Sequence, residues 1–297
     1  MMTVREIECT AAMNHVSSRF LPYSWDLNPY RGCSHGCRYC FALYSHRYMG
    51  DGGDDFYSGL YVKTNIAERL ERELSRRSWT GELVNIGGVT DSYQPAEADY
   101  KLMPDILRLM IKHRNPCIIS TKSDLILRDF DLIAQLSEVA AVNIAATITC
   151  ADERVRERLE PGGVPSARRF EVLRAFSDTR ACTGVHLMPV IPFLTDSRAN
   201  LSAILAGARD AKADYLLPGL LNLRGKTRDV FWDFLRHNFP QCEAPLRRLM
   251  DDRQAKKAYR AALFRWLRAE AARTGVSLDH ISPLRRRLTA EEQLTLF

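Results

Sequence analysis

The sequence predicts an α/β protein whose strands form a parallel sheet or barrel, and two observations lead to that class. Short apolar stretches alternate with longer amphipathic ones between residues 24 and 236, as repeated strand–helix units require. Several amphipathic stretches also open on polar residues suited to capping a helix: Thr64 before Asn65, Asp99, and Ser166 before an Arg- and Ala-rich run.

Taken in order, residues 1–24 show no clear periodicity and read as an extension packed on the core. Strands are expected near Ser24–Leu27 and at Leu83–Ile86, Cys117–Ser120, Val142–Ile148, Gly184–Val190 and Tyr215–Leu217. Helices are expected at Asn65–Arg77, Asp99–His113, Asp129–Glu138, Ser166–Ser177, Asn200–Ala211 and Asp229–Arg236. The six strand–helix units, all but the last helix of which lie in residues 25–224, are fewer than a full eight-stranded barrel. From 225 to 297 the composition shifts. Residues 243–274 are rich in Ala, Arg, Leu and Lys, with Leu246, Leu249, Met250, Tyr259, Leu263 and Leu267 spaced as one long or broken amphipathic helix. The tail that follows carries Arg285-Arg286-Arg287.

Composition narrows the class further. A hydrophobic fraction of 46% is enough for a large buried core. No apolar run approaches the length of a membrane span, and the charged start argues against an export signal, so a cytoplasmic protein is expected. Eight cysteines in such a chain read as metal ligands and buried thiols, not as a disulfide framework. The net charge of +6 permits nucleic-acid binding without demanding it.

The stretch with the most chemistry is Asn28-Pro29-Tyr30-Arg31-Gly32-Cys33-Ser34-His35-Gly36-Cys37-Arg38-Tyr39-Cys40. Its three cysteines converge from one turn built on Pro29, Gly32 and Gly36, a natural ligand set for iron–sulfur or zinc. No fourth cysteine follows closely, so bound iron would keep one open position. Zinc with His35 as fourth ligand, or unligated cysteines, are the alternatives. Cys9, Cys117, Cys150, Cys182 and Cys242 form no second close pair, which argues against a second cluster.

The C-x3-C-x2-C spacing with Tyr39 before the last cysteine resembles the cluster loop of radical S-adenosylmethionine (SAM) enzymes. The longer string NPYRGCSHGCRYCFAL is similar to the spore photoproduct lyase-like branch. The resemblance implies a partial (β/α)6 TIM-like barrel with a C-terminal helical extension. It also implies a [4Fe–4S] cluster on Cys33, Cys37 and Cys40, with SAM on the open iron, cleaved on reduction to a 5′-deoxyadenosyl radical. An electron-donor protein such as flavodoxin or ferredoxin is implied as well.

Further segments extend the resemblance at the strand ends, where barrel chemistry gathers. Gly87-Gly88-Val89-Thr90-Asp91, continuing into Ser92-Tyr93-Gln94-Pro95-Ala96-Glu97, resembles the turn that holds the SAM amino group. Lys122 matches the lysine expected to meet the SAM carboxylate, and Thr147 falls where a hydroxyl bonds the ribose. Met188 and Phe193, in HLMPVIPFLTD, match the wall of the adenine site. Thr149 reads equally as a residue filling the strand, and His186, in an apolar strand, reads as a satisfied buried histidine before a catalytic base. Glu160-Pro161 fits the branch pattern, but Gly162-Gly163 follows where an arginine and an alanine are usual. Spore photoproduct lyases proper carry a hydrogen-donating cysteine at the position of Gly88, so that donor is missing. Cys150 and Tyr93 are the candidate replacements, each competing with an inert buried role.

Two features lean toward DNA. One is the basic C-terminal third: Arg247, Arg248, Arg253, Lys256, Lys257, Arg260, Arg265, Arg268 and Arg285–Arg287, against the commoner reading of a solvated face. The other is the terminal Gln293-Leu294-Thr295-Leu296-Phe297, which resembles the pentapeptide that docks repair proteins on the sliding clamp. Three functions follow: radical SAM repair or modification of DNA, radical SAM modification of a peptide or small metabolite, and a zinc-stabilised nucleic-acid-binding protein without radical chemistry.

Overall fold

The computed structural model describes residues 2–18, 21–49 and 56–283. Its strands, in chain order, are β1 Thr3–Ile7, β2 Met13–His15, β3 Trp25–Leu27, β4 Tyr30–Arg31, β5 Gly59–Lys63, β6 Val84–Ile86, β7 Cys117–Thr121, β8 Val142–Thr147, β9 Cys182–Val190 and β10 Tyr215–Leu220. The α-helices are α1 Ile66–Leu74, α2 Glu97–Tyr100, α3 Leu102–Lys112, α4 Phe130–Val139, α5 Glu153–Leu159, α6 Ser166–Phe176, α7 Arg198–Asp210, α8 Lys226–Asn238, α9 Pro240–Asp251 and α10 Arg253–Thr274.

The main sheet runs β10-β9-β8-β7-β6-β3-β2. Its pairings from β3 through β6, β7, β8 and β9 to β10 are all parallel, so six strands lie side by side in chain order. Among the described residues β3 and β10 do not pair with each other, which is the partial barrel that the six units led us to expect. Each expected strand is present within a few residues of its expected bounds.

Alternation along the strands sorts their side chains onto two faces. Leu27, Val84, Ile86, Cys117, Ile119, Val142 and Ile144 share one core cluster with residues of α1, α3 and α4. Ala146, Ile148, Val185, Leu187 and Leu216 pack in a second cluster with α7 and α10. In α3, Met103, Ile106, Leu107 and Met110 recur at helical spacing and are fully buried. Each contributes about 1.5–3 kcal/mol of hydrophobic stabilisation. The opposite face of the strands carries Asp26, Asn85, Ser120, Asn143, Thr147, His186 and Tyr215. An inner face of this polarity departs from the apolar runs usual in a buried parallel sheet.

Several local expectations are corrected. The first 24 residues are not merely an extension: β2 pairs antiparallel with β3 and widens the main sheet, while β1 joins β5 and β4 in a small second sheet. The expected caps at Thr64, Asp99 and Ser166 are not caps. Thr64 Oγ1 donates to the carbonyl of Ile7 (3.4 Å), Asp99 lies inside α2, and Ser166 is the first residue of α6 with its hydroxyl on the Cys150 carbonyl (2.7 Å). The side chains that do cap are Asp152 at α5, Ser197 at α7 and Asp252 at α10. Asp252 also explains why the long basic helix is broken: it ends α9 and starts α10. Past α10 the chain returns to the sheet, where the Ser277 carbonyl accepts from the N–H of Leu216 (2.8 Å).

Candidate functional site

The cysteine loop sits over the C-terminal ends of the parallel strands, and its position is fixed by two buried carboxylates. Asp91, in the turn after β6, reaches up to it: Oδ2 lies 3.0 Å from Nε2 of His35. Its other partners are Thr121 Oγ1 (2.8 Å), the N–H of Lys122 (2.8 Å) and the N–H of Tyr93 (2.9 Å). Burial alone would raise this carboxyl. His35 and the Lys122 N–H outweigh it and hold Asp91 well below the usual carboxylate range.

Glu160, at the end of α5, does the same on the other side. It accepts from the Tyr39 hydroxyl, from Thr149 Oγ1 (2.8 Å) and from Arg169 Nη1 (2.5 Å), with both Glu160 and Arg169 sealed from solvent. Arg169 also donates to the carbonyls of Val164 and Thr147 (2.8 Å each). Burial would raise Glu160, but Arg169 and then Lys122 hold it below its ordinary value. The Pro161–Gly162 turn lies flat on the loop: the Gly162 N–H donates to the His35 carbonyl (2.9 Å), and a Cβ on Gly162 would fall 2.3 Å from the Ser34 carbonyl oxygen. That contact is the physical reason for glycine where the related pattern has a larger residue.

Two posts from the next segment complete the anchoring. Gln94 accepts from the Ser34 N–H (3.0 Å) and donates to the Gly32 carbonyl (3.3 Å), while the Thr90 hydroxyl donates to the same carbonyl (2.6 Å). Glu97 takes the Tyr30 hydroxyl, the N–H groups of Leu102 and Met103, and Arg128. From the C-terminal side, the Thr227 hydroxyl donates to the Cys40 carbonyl (2.7 Å), which ties α8 to the loop.

Cys33, Cys37 and Cys40 are free thiols. Burial pushes Cys33 well up, with Asp91 and the Cys37 and Cys40 sulfurs adding to it; Cys37 is pushed up to about 12 and Cys40 is also raised. Among the described residues no three Cys, His, Asp or Glu side chains already form a finished metal-ligand arrangement. The donor set fits an iron–sulfur cluster, whose ligands are cysteine thiolates, and binding would release the thiol protons. It does not fit zinc with His35 as fourth ligand. Nδ1 of that ring is 2.7 Å from the Gly162 carbonyl and Nε2 is on Asp91, so both nitrogens are engaged.

The other expected residues fall into two groups. Lys122 stands beside the loop, while Thr147 ends β8, Met188 lies in β9 and Phe193 in the turn after it. The Lys122 ammonium lies 6.0 Å above the Tyr39 ring and has no hydrogen-bond or ion-pair partner among the described residues. Burial would lower it; Cys37, Glu160 and Asp91 hold it above the ordinary lysine value. Phe193 has φ 65° and is 47% exposed, a large apolar ring left open beside the strand ends. Gly87 has φ 88°, which favours glycine, and Gly88 packs on the Asp26 carboxylate, 2.3 Å from where a Cβ would lie.

The second group is turned away from such a role. Asp91 was expected to accept an ammonium, yet its two oxygens already have four partners. Tyr93 is fully buried within the apolar cluster under α3 and α4, out of reach of a bound molecule. Cys150 is 1% exposed; its thiol points to the Asp152 carbonyl (3.4 Å) and burial pushes it up to about 12.

Sequence reasoning passed over His35, Gln94, Glu97, Glu160 and Arg169 as structural residues of the site. Gln94 reaches Ser34 across 60 residues, Glu97 reaches Tyr30 across 67 and Glu160 reaches Tyr39 across 121, so no local spacing revealed them.

Fold and site together define a partial α/β barrel that offers a three-thiol loop at its strand ends. The Radical SAM superfamily profile matches residues 27–202, and the chain belongs to that superfamily. A [4Fe–4S] cluster and SAM are accordingly its cofactors. An uncharacterized protein of Mycobacterium tuberculosis is 36% identical over 250 residues, covering 84% of this chain and 74% of that one. An uncharacterized protein of Methanocaldococcus jannaschii is 26% identical over 215 residues, covering 72% and 76%. Among solved structures, spore photoproduct lyase complexed with dinucleoside spore photoproduct superposes with a TM-score of 0.57 at 11% identity, over 80% of this chain and 66% of that one. A mutant form of the lyase with bound AdoMet and dinucleoside spore photoproduct gives 0.55 at 11% identity, over the same shares. The chain thus spans just under two thirds of those structures, and at this identity the likeness is one of fold. Among the described residues no helix is long and apolar enough to cross a membrane.

Proposed function

We propose that this protein is a cytoplasmic radical SAM enzyme that abstracts a hydrogen atom in the repair or modification of DNA. The observation that carries the reading is the cysteine loop, locked to the strand ends by His35–Asp91 and Tyr39–Glu160 with the unpartnered Lys122 ammonium beside it. Cys33, Cys37 and Cys40 hold the cluster. A reduced cluster held there would supply the electron for reductive cleavage of SAM. Lys122 is placed to meet the SAM carboxylate, which supplies the anion its buried charge lacks. The Gly87-Gly88 backbone borders the methionine end, Thr147 carries a hydroxyl with no hydrogen-bond partner among the described residues, and Met188 and Phe193 border the adenine.

DNA as substrate draws on the spore photoproduct lyase-like barrel and on the surplus of basic residues after residue 240. The missing cysteine at Gly88 argues against the spore lesion itself. A second reading, modification of a peptide or small metabolite, draws on the polar inner face of the sheet, where Asn143 donates to the Tyr215 hydroxyl. The clamp-docking segment Gln293, Leu294, Leu296 and Phe297 lies outside the described residues and is proposed from sequence alone. Cys37→Ala, reconstituted without oxygen, is expected to lose iron and SAM cleavage while keeping its circular-dichroism spectrum. Full SAM cleavage by that variant refutes the ligand assignment. Deuterium transfer into 5′-deoxyadenosine from labelled damaged oligonucleotides, and from no peptide, is the result expected for DNA.

A further inference from the structure

We infer that an exposed basic stripe on α10 holds the phosphate backbone of the DNA strand that reaches the barrel mouth. This rests on the DNA reading above and adds where the polymer lies. The helix carries seven Arg or Lys residues and one acidic residue, Glu270. Only Arg273 has a carboxylate partner, Glu270 itself; the other six have none among the described residues. Arg253, Lys257, Arg260 and Arg268 are exposed and recur at i, i+4, i+7 and i+15 on one side of the helix, Arg253 and Arg260 in line with and N-terminal to the buried stripe of Leu263, Leu267 and Ala271. Phe264 sits within that stripe, with the Arg260 guanidinium 5.4 Å from its ring. A solvated helix usually interleaves the two signs and pairs them. This one does not.

The position of the stripe gives it a use. The Tyr259 hydroxyl bonds the carboxylate of Asp196, on the loop directly after β9, so the N-terminal half of α10 stands at the strand-end side of the barrel. The same loop carries the exposed Phe193, whose carbonyl accepts from the Cys242 thiol of α9 (3.3 Å). Arg198, at the start of α7, is also exposed and lies 5.4 Å from the Trp266 ring of α10. The eight residues from Arg253 to Arg260 rise about 10 Å along the helix axis. That length faces about three phosphates of one strand of a duplex. Charge of one sign without internal partners, next to the mouth and spread over several phosphates, fits a nucleic-acid backbone better than a compact anion.

The test uses the full-length protein with its cluster reconstituted, a fluorescein-labelled DNA duplex and single strand, and anisotropy at several salt concentrations between about 50 and 200 mM. The Lys257→Gln/Arg260→Gln double variant is expected to bind DNA about tenfold or more weakly, and the slope of log affinity against log salt to fall by about two. Its SAM cleavage without DNA and its circular dichroism stay at the wild-type level. Equal DNA binding by wild type and variant overturns the stripe but leaves DNA as substrate. Absence of DNA binding by the wild type removes both. Tighter binding of RNA of the same sequence, or of anionic vesicles, overturns DNA as the occupant.

Discussion

Nε2 of His35 lies 3.0 Å from Oδ2 of Asp91, and both side chains are buried. This contact ties the cysteine loop to the turn after β6. Asp91 also holds Thr121 and the Lys122 N–H, so the same carboxylate sets where the Lys122 side chain begins. It is therefore a positioning residue with no free oxygen for a ligand.

Replacing Asp91 by Asn keeps the shape and removes the charge that its donors face. We expect a loss of about 1–3 kcal/mol of stability, the penalty for buried donors left facing a poorer acceptor. Iron retention should fall with it. Thermal unfolding and iron content measure both. If Asp91 instead bound the SAM ammonium directly, the variant would keep its stability and lose SAM affinity alone.

Lys122→Met separates the two roles in the opposite way. Its backbone N–H still bonds Asp91, and its ammonium has no hydrogen-bond or ion-pair partner among the described residues, only the Tyr39 ring 6.0 Å away. Iron content should be unchanged while SAM binds at least about tenfold more weakly, as expected when one charge-assisted contact is removed. Equilibrium dialysis of the reconstituted variant against SAM decides it; unchanged affinity would remove Lys122 from the cofactor site.

Acid should loosen the unloaded protein through two separate groups. Asp91 and Glu160 are both held below their unfolded values. Depressed carboxyl groups stabilise the fold above the unfolded pKa, near 4, and that contribution is lost as pH falls through their folded values. His186 acts at higher pH. Burial, with His280 and Lys122 nearby, pushes it down to about 3. The unfolded ring protonates near 6.5 while the folded one stays neutral, so stability drains as pH falls from 6.5 toward 3. A neutral ring suits its neighbours: Nε2 is 3.1 Å from the Tyr215 hydroxyl, which also takes Asn143 Nδ2 at 2.9 Å. Denaturant titrations at pH 7, 5.5, 4.5 and 3 should show His186→Gln flattening the slope between 7 and 4.5, with Glu160→Gln affecting only the step below 4.5.

Much of the barrel was legible because its signal is local. The six strands are apolar runs bounded by helices whose own apolar residues recur every three to four positions, as in Met103, Ile106, Leu107 and Met110. The small sheet was not. β1 is exposed over most of its length and shows no alternation, and its partner β5 lies more than 50 residues away. The short helix α5 was hidden for a similar reason: it is charged, with Arg156 buried by bonds to the carbonyls of Glu160 and Gly163 that only the folded turn supplies. Within the site, the cysteines and Lys122 were marked by motif. Glu160 and Arg169 form a sealed pair that nothing in their local sequence announces, and breaking it should cost about 3–5 kcal/mol.

The absence of a donor cysteine at Gly88 has a steric cause. A Cβ there would fall 2.3 and 2.5 Å from the two carboxylate oxygens of Asp26, which face Asn28 Nδ2 (2.6 Å) and Asn85 Nδ2 (2.7 Å). Asp26 therefore occupies the space that a side chain at this turn would need, and its carboxyl is raised by burial despite those donors. Gly88→Cys alone should lower stability by about 1–3 kcal/mol, as overpacking does. The double variant Asp26→Ser/Gly88→Cys clears the oxygens from that space and should recover part of the loss, so the two effects will not add. A double-mutant cycle by chemical denaturation reads the coupling. Strictly additive effects would show that Asp26 is not what keeps this position bare.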